Sequence, residues 1–371
     1  AMLAVARKSG MRLLGPNCLG LVYNSDTPDS GLNTFFIPEE KLRLPSGQNK
    51  QVVLLSQSGA FGLTEHHNLR QGISPRAIVS YGNQLDIDPA DLIAYFGNSP
   101  TTDVIGCYIE GFKPGAGAGF YKEVSRCPKP VIVYKAGRTK AGQKATESHT
   151  ASIAGEYAVA KAAMKQAGAV MAETVMDHKD LIKTFALFND LDVKANRVGI
   201  IANAGYEKTY AADHLGHLQV AAFDDATTAA LEQIIPPFVA VDPLLDLTPM
   251  ANDALFEQCI DKVLQCPAVD SLFVSIVPQT PALHTTDEEM QADPENVAAR
   301  IVRQFRKHNK PVVVSICITS GADVVYNRFG QTLEMGGVPT FLSASQAMRC
   351  LNAFVRYHMI RGRSDYAEWL K

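Results

Sequence analysis

The sequence lacks the features that mark membrane, secreted and nucleic-acid-binding proteins. It has no apolar run long enough to span a bilayer and no signal-peptide profile at its N-terminus. Its 35 Lys and Arg residues nearly balance its 38 Asp and Glu residues, for a net charge of −3. A chain with so little excess charge has no electrostatic reason to bind nucleic acid or an anionic membrane.

The sequence also lacks any CxxC pair. Its odd number of dispersed cysteines predicts reduced thiols in a cytoplasm, and neither a disulfide framework nor a metal site. The seven positions are Cys18, Cys107, Cys127, Cys259, Cys266, Cys317 and Cys350.

What the chain does have is length and a regular alternation of apolar runs with helical patterns. Its 371 residues suggest two or three domains. Strand–helix alternation predicts parallel sheets with helices on both faces. The pattern restarts at residues 197–202, which places a boundary near residues 192–196. Residues 1–8 predict a helix with no N-cap and residues 11–14 a short strand, so we expect a further domain ahead of them.

The most informative stretch is residues 135–155, in which His149 lies among Gly, Ser, Thr and Ala. We expect a loop that leaves the imidazole reachable, with backbone N–H groups available to an anion. Neutral imidazole is a nucleophile near pH 7, so His149 is a candidate for taking up and passing on a phosphoryl group. The alternative is an ordinary exposed histidine.

Two further candidates follow predicted strands, where open α/β sheets bind ligands. Ser58 is a candidate N-cap, and Gly59 would let an anion approach the first turn of the helix; a plain capped helix is the alternative. Glu110 ends the strand at residues 104–109 and could orient an imidazole, or it is simply exposed. Cys18 could touch a thioester ligand or pack as a small residue.

Weaker patterns lie elsewhere. The GxGxG run at residues 115–119 has the wrong spacing for a dinucleotide site and favours a flexible loop. The adjacent His66 and His67 face different directions on a helix, which predicts surface residues and no metal pair.

Taken together, the motifs resemble the nucleoside-diphosphate-forming acyl-CoA synthetases, relatives of succinyl-CoA synthetase. The matching segments run in the family's order: Gly15-Pro-Asn-Cys-Leu-Gly20, Leu55-Ser-Gln-Ser-Gly-Ala-Phe-Gly62, Ser80-Tyr-Gly-Asn-Gln84, Tyr108-Ile-Glu-Gly111, Lys135-Ala-Gly-Arg-Thr139 and Ser148-His-Thr-Ala-Ser-Ile-Ala-Gly155. The resemblance implies two flavodoxin-like parallel-sheet ligase domains at residues 23–192 and 193–371. It also implies that residues 1–22 are the tail of a CoA-binding Rossmann domain.

The resemblance further implies a phosphohistidine mechanism. Acyl-CoA and phosphate give an acyl phosphate and CoA, the acyl phosphate phosphorylates a histidine, and the phosphohistidine passes the group to ADP or GDP. The reverse direction forms acyl-CoA from ATP, acid and CoA. By position His149 is the phosphohistidine and Glu110 its orienting carboxylate. The other implied residues hold phosphate (Ser58, Gly59, Ala60, Ser148 and Thr150) or lie near CoA (Asn17 and Cys18).

The same resemblance sets the expected partners. CoA and ATP or ADP are substrates, with Mg²⁺ on an ATP-grasp domain or beta-type subunit that this chain does not contain. No cofactor is expected to bind tightly to the chain, an oligomer is expected, and neither nucleic acid nor membrane is a partner.

One segment departs from the family, and two other functions remain as alternatives. Tyr206-Glu207-Lys208 stands where the family usually has more glycine, which brings a negative side chain to a presumed phosphate route. The domains could instead form an acyl-CoA-sensing module of an acetyltransferase-like protein, or a degenerate structural subunit. Because Glu110 and His149 are both present, the sequence favours the enzyme.

Overall fold

The computed structural model describes residues 2–26, 30–38, 40–42, 51–69, 72–150, 156–191, 193–317 and 324–362, without the side chains at 68, 147–150 and 324. The chain divides into two compact units, Ala1–Ala186 and Leu187–Tyr366, each treated over its described part. In that part no helix is both long and apolar enough to cross a bilayer.

The first unit alternates strands and helices as the sequence predicts. Its strands are β1 (Gly20–Tyr23), β2 (Leu32–Asn33), β3 (Val52–Ser56), β4 (Pro75–Ser80), β5 (Val104–Ile109), β6 (Val131–Lys135) and β7 (Val170–Ala172). Its helices are α1 (Met2–Lys8), α2 (Gly59–Asn68), α3 (Pro89–Gly97), α4 (Ala116–Arg126), α5 (Lys140–Thr150), α6 (Tyr157–Gln166) and α7 (Val175–Leu187).

The seven strands form one mixed sheet in the order β2-β1-β4-β3-β5-β6-β7. Five neighbouring strands of this sheet are parallel to one another: β4, β3, β5, β6 and β7. Strand β1 runs antiparallel to both β2 and β4. Every residue of β3 and β4 is buried, as expected of strands covered on both faces. The carboxyl ends of β3, β5 and β6 therefore lie side by side at one edge of the sheet.

Helices cover both faces of this sheet. On one face, the Cβ that alanine would add at Gly106 would lie 2.5 Å from Ile182 Cδ1, so α7 packs directly on β5. Helix α2 covers the same face through Phe61, which stacks on Tyr108 with ring centroids 4.2 Å apart. The other face forms an apolar core with α3 and α4, which contribute Ile93, Phe96, Phe120 and Val124.

The second unit repeats the plan with a sheet that is parallel throughout, in the order β10-β8-β11-β12-β13 with β9 beside the start of β8. Its strands are β8 (Arg197–Ala202), β9 (Gln219–Val220), β10 (Leu244–Asp246), β11 (Ser271–Ile276), β12 (Val312–Ile316) and β13 (Thr340–Phe341). Its helices are α8 (Gly205–Ala212), α9 (Asp225–Glu232), α10 (Asp253–Gln265), α11 (Asp287–Ala292), α12 (Val297–His308), α13 (Asn327–Met335) and α14 (Ala344–Arg361), with a 3₁₀ turn at Val324–Tyr326.

Four local expectations are wrong. Residues 11–14 form no strand, because Leu13 instead bonds Asp86 Oδ2 through its N–H at 2.9 Å. The glycine run after Gly115 is not a loop but the start of α4. His66 is buried, and only His67 is exposed. Residues 140–150 are helical where a loop was expected.

The predicted domain boundaries remain predictions. Strand β1 spans the boundary proposed between residues 22 and 23, and it is hydrogen-bonded within the first sheet. The division between the two units falls between residues 186 and 187, six residues before the proposed boundary between 192 and 193.

Candidate active site

The N-terminus of α2 is open to an anion. Ser58 caps the helix in extended conformation (φ −97°, ψ 127°), and its Oγ accepts from Phe61 N at 3.4 Å. The first turn contains no acidic residue. The free N–H groups and positive dipole end of such a turn suit a phosphate. This confirms that Ser58 is an N-cap; phosphate binding by Ser58, Gly59 and Ala60 stays a prediction.

A loop from the N-terminal part of the chain, residues 15–19, packs against this turn. Leu19 N donates to Ser80 Oγ at 3.1 Å, and a Cβ on Gly59 would lie 2.4 Å from Leu19 Cγ. Gly82 adopts φ +53°, and a Cβ there would lie 2.3 Å from Asn17 O. Glycine at 59 and 82 therefore allows the loop to approach. Its Cys18 is partly buried, as a residue at the rim of a site would be.

Glu110 immediately follows β5 at the same sheet edge and is only 9% exposed. Tyr108 Oη donates to Glu110 Oε1 at 3.1 Å. Burial, followed by the nearby Glu110 charge, raises the pKa of Tyr108, so the phenol stays protonated and donates at neutral pH. Gln57 links Glu110 to α2, because it precedes Ser58 and its Oε1 accepts from Glu110 N at 2.8 Å. The alternative of an ordinary exposed glutamate is therefore wrong.

Lys135, the last residue of β6, is buried beside Glu110. Its Nζ donates to Glu110 O at 2.8 Å and to Ala136 O at 2.6 Å. Burial lowers the pKa of Lys135 to about 8, and the Glu110 charge opposes that shift. The sequence placed Lys135 in a motif but gave it no role.

The histidine segment is the last turn of α5. Thr139 Oγ1 accepts from Gly142 N at 3.1 Å, which is an N-cap arrangement. The residues that follow it include Lys, Gln and Ala, which favour helix, and this explains why the expected loop is a helix. The side chains of Ser148, His149 and Thr150 lie outside the described part, as do residues 151–155. A contact between Glu110 and His149 therefore stays a prediction.

The corresponding edge of the second sheet is built differently. Asn203, just after β8, makes two hydrogen bonds to the backbone of Val277. Its Oδ1 accepts from Val277 N at 2.8 Å and its Nδ2 donates to Val277 O at 3.0 Å. Glu207, in the first turn of α8, is 4% exposed. Its Oε2 accepts from Ser275 Oγ at 2.8 Å. The negative side chain that the sequence suggested would meet a phosphate instead points into the second unit.

Among the described residues, one group has the composition of a metal site. His284 Nδ1 lies 2.7 Å from Asp253 Oδ2 and 3.1 Å from Asp293 Oδ2. The same ring nitrogen faces both carboxylates, so the three side chains form a hydrogen-bonded cluster. Sequence spacing gave no sign of it, because its members come from three separate segments.

Comparison with known proteins adds a family to this geometry. Residues 49–185 match the model of the succinyl-CoA ligase like flavodoxin domain. The alpha subunit of acetate–CoA ligase (ADP-forming) I of Pyrococcus furiosus is 33% identical over 359 residues, covering 96% of this chain and 72% of the relative. The acetate–CoA ligase (ADP-forming) of Methanocaldococcus jannaschii is 31% identical and is covered over 49% of its length, against 99% of this chain.

A solved structure agrees. The acetyl-coenzyme A synthetase 1 of Ca. Korarchaeum cryptofilum, in complex with phosphate and ADP, superposes with a TM-score of 0.81 at 30% identity. The match covers 96% of this chain and 74% of that one. The match therefore extends over both flavodoxin-like units. On these matches, the chain belongs to the family of ADP-forming acyl-CoA ligases, which are acid–thiol ligases.

Proposed function

We propose that this chain carries the phosphohistidine step of an ADP-forming acyl-CoA synthetase, with His149 as the phosphorylated residue. The observation that carries the proposal is the bond from Gln57 Oε1 to Glu110 N, 2.8 Å long. In this bond Glu110 N donates to Gln57 Oε1, which ties the backbone of a buried glutamate to the residue before the N-cap of α2. An orienting carboxylate and an anion site are the two parts that a phosphoryl-accepting imidazole requires.

In the proposed mechanism Glu110 accepts a hydrogen bond from one imidazole nitrogen of His149, which leaves the other nitrogen free to attack phosphorus. The N–H groups of the first turn of α2 (Gly59 and Ala60), with the Ser58 hydroxyl, hold the phosphoryl oxygens. The imidazole nitrogen forms the new P–N bond as the P–O bond to the acyl oxygen breaks, and the free carboxylate leaves. Such transfers depend on positioning and charge stabilisation more than on covalent machinery.

The remaining parts of the cycle are assigned to CoA and to a partner. The loop at residues 15–19 lies against α2, so Asn17 and Cys18 are proposed to lie near the CoA thiol. Nucleotide and Mg²⁺ are proposed to bind an ATP-grasp domain or beta-type subunit, which fits the alpha-subunit names of two relatives. An assembly with that partner is part of the proposal. The relatives differ in the acid that they are named for, acetate in one and 4-hydroxybutyrate in another, so we propose only the class, a carboxylic acid.

The acyl-CoA-sensing alternative is the weaker one. The relatives reported above are named as ligases, and Glu110 has the buried, bonded position that a sensor would not need.

Isotope exchange tests the proposal without knowledge of the acid. The full-length protein with its ATP-binding partner and Mg²⁺ should transfer label from labelled ADP into ATP when neither acid nor CoA is present. A covalent phosphoryl intermediate makes this half-reaction possible. His149→Asn should abolish the exchange. Equal exchange in the parent and in His149→Asn would refute the role of His149.

A further inference from the structure

The backbone of Glu110 and Gly111 is held entirely by buried side chains. Gln57 Oε1 accepts from both N–H groups, at 2.8 Å from Glu110 and 3.1 Å from Gly111. Lys135 Nζ donates to the Glu110 carbonyl at 2.8 Å. Gln84 Nε2 donates to the Gly111 carbonyl at 3.0 Å. All four backbone polar groups of this dipeptide are thus bound by side chains of other strands or strand ends.

These three side chains, which we call the Glu110 clamp, come from three directions. Gln57 follows β3, Gln84 lies just beyond β4, and Lys135 ends β6. Their exposed fractions are 3%, 1% and 3%. Since β3 and β6 flank β5 in the sheet, the clamp closes on the end of β5 from both sides. Strand ends usually leave their last backbone groups to water or to the following turn.

The clamp is not the arrangement that stability alone would favour. Among the described residues, Gln57 Nε2 and Gln84 Oε1 are buried without a hydrogen-bond partner, and an unmet buried polar group costs about 1–3 kcal/mol. Gln84 also adopts φ +57°, a conformation that non-glycine residues rarely take. Lys135 loses hydration by burial. Observed strain of this kind, next to a strand-end carboxylate, points to a positioning task.

We propose that Gln57, Gln84 and Lys135 are positioning residues that fix the Glu110 carboxylate in the orientation needed to align the His149 imidazole. This inference rests on the proposed function. The clamp touches no reacting atom in the proposed mechanism and acts only through Glu110.

The test is a double-mutant cycle on the exchange reaction, in the full-length protein with its partner. Gln57→Leu and Lys135→Met are made singly and each in a Glu110→Gln background. If the clamp acts through Glu110, each single variant should lower the exchange rate roughly 10- to 100-fold, with the KM for ATP changed by less than about 3-fold. In the Glu110→Gln background, the same changes should lower the rate by less than about 3-fold further.

Matched controls come from the second unit. Gln304 is a buried glutamine whose Nε2 donates to Glu257 Oε1 at 2.9 Å, and Lys310 is a half-buried lysine whose Nζ donates to Leu264 O at 2.6 Å. Gln304→Leu and Lys310→Met should leave the exchange rate within about 3-fold of the parent.

The outcomes separate the two claims. The clamp is overturned if the parent exchanges and the Gln57 and Lys135 variants exchange equally well. It is also overturned if their losses multiply fully in the Glu110→Gln background. Both results leave the proposed function standing. Absence of exchange in the parent, with the partner shown active on another synthetase, overturns the proposed function and the clamp's role with it.

Discussion

The two sheets present opposite electrostatic designs at corresponding edges. In the first unit α2, the helix after β3, has a serine N-cap and carries no acidic residue in its first turn. In the second unit Ala204 is the N-cap residue of α8 and gives no side-chain cap, and Glu207 lies in the first turn. A helix dipole attracts negative charge at its N-terminus. The first turn of α2 therefore has no negative side chain of its own at the positive end of the helix dipole, whereas the first turn of α8 has Glu207.

The buried side chains of Glu110 and Glu207 also differ in the position of their hydrogen-bond partners. Glu110 is held through its backbone, and its side chain receives a bond from Tyr108 at the edge of the sheet. Glu207 instead accepts from Ser275 inside the unit, where Ser275 Oγ also lies 3.4 Å from Cys317 Sγ. Burial raises the pKa of Cys317 to about 11, so its thiol is neutral at physiological pH. The comparison teaches that the same strand–turn–helix unit has no acidic residue in the first turn of α2 and a buried carboxylate in the first turn of α8.

The largest expected effect separates the two glutamates. Glu110→Gln should lower ATP–ADP exchange by at least about 100-fold, because a neutral amide no longer stabilises the charged imidazole. Glu207→Gln should change the same rate by less than about 3-fold, since its carboxylate faces Ser275. Initial rates at saturating ATP measure both. Similar losses of exchange rate in Glu110→Gln and Glu207→Gln would contradict a functional difference between the two sheet edges.

Next in size is the effect of a methyl group at each helix start. In Gly59→Ala the new Cβ would lie 2.4 Å from Leu19 Cγ, whereas in Gly205→Ala it would lie 3.0 Å from Asp246 Oδ2. Overpacking of this kind costs about 1–3 kcal/mol. We expect Gly59→Ala to lose more stability than Gly205→Ala and also to lose the stabilisation that added phosphate gives. Thermal unfolding with and without phosphate tests this; equal phosphate responses in the two variants would contradict it.

The sequence predicted the strand and the helix cap at this edge of the first sheet because the signals for both are local. Ser58 after an apolar run is an N-cap pattern, and residues 104–109 were predicted as a strand with the bounds that the structure gives. The Glu110 clamp was not predicted, because Gln57, Gln84 and Lys135 are 25 to 54 positions away from the Glu110 and Gly111 groups that they bind. Only strand order and register bring them together.

Lys135, which is buried, and Lys310, which is partly buried, give a smaller, pH-dependent contrast in stability. The pKa of Lys135 is lowered to about 8 from 10.5, so between these values the unfolded chain binds more protons than the folded one. The cost of burying the charge is present below pH 8 and is relieved as pH rises toward 10.5. The stability of the parent relative to Lys135→Met should therefore increase over that window, by on the order of 1–3 kcal/mol.

Urea unfolding at pH 7.5 and pH 10 measures this difference. Lys310→Met, in which burial also lowers the lysine pKa, should show a change of the same sign but no loss of exchange activity. A relative stability that falls with pH would contradict the burial of a charged Lys135.

The smallest contrast concerns helix caps. Ser58→Ala and Asn252→Ala each remove an N-cap, since Asn252 Oδ1 accepts from Leu255 N at 2.9 Å. Each should cost about 1 kcal/mol of stability. Only Ser58→Ala should also weaken the response of the unfolding midpoint to phosphate. An identical response in both variants would indicate that the Ser58 turn binds no phosphate.

Direct mapping of the phosphoryl group tests the central claim, that the first edge serves a phosphohistidine. The full-length protein, its ATP-binding partner and Mg-ATP are mixed, and the product is examined by intact mass and peptide mapping under conditions that preserve acid-labile phosphate. The account predicts one phosphoryl group on the peptide that contains His149, absent in His149→Asn and strongly reduced in Glu110→Gln. A phosphoryl group on another peptide, or none with a partner proven active on another synthetase, would contradict it.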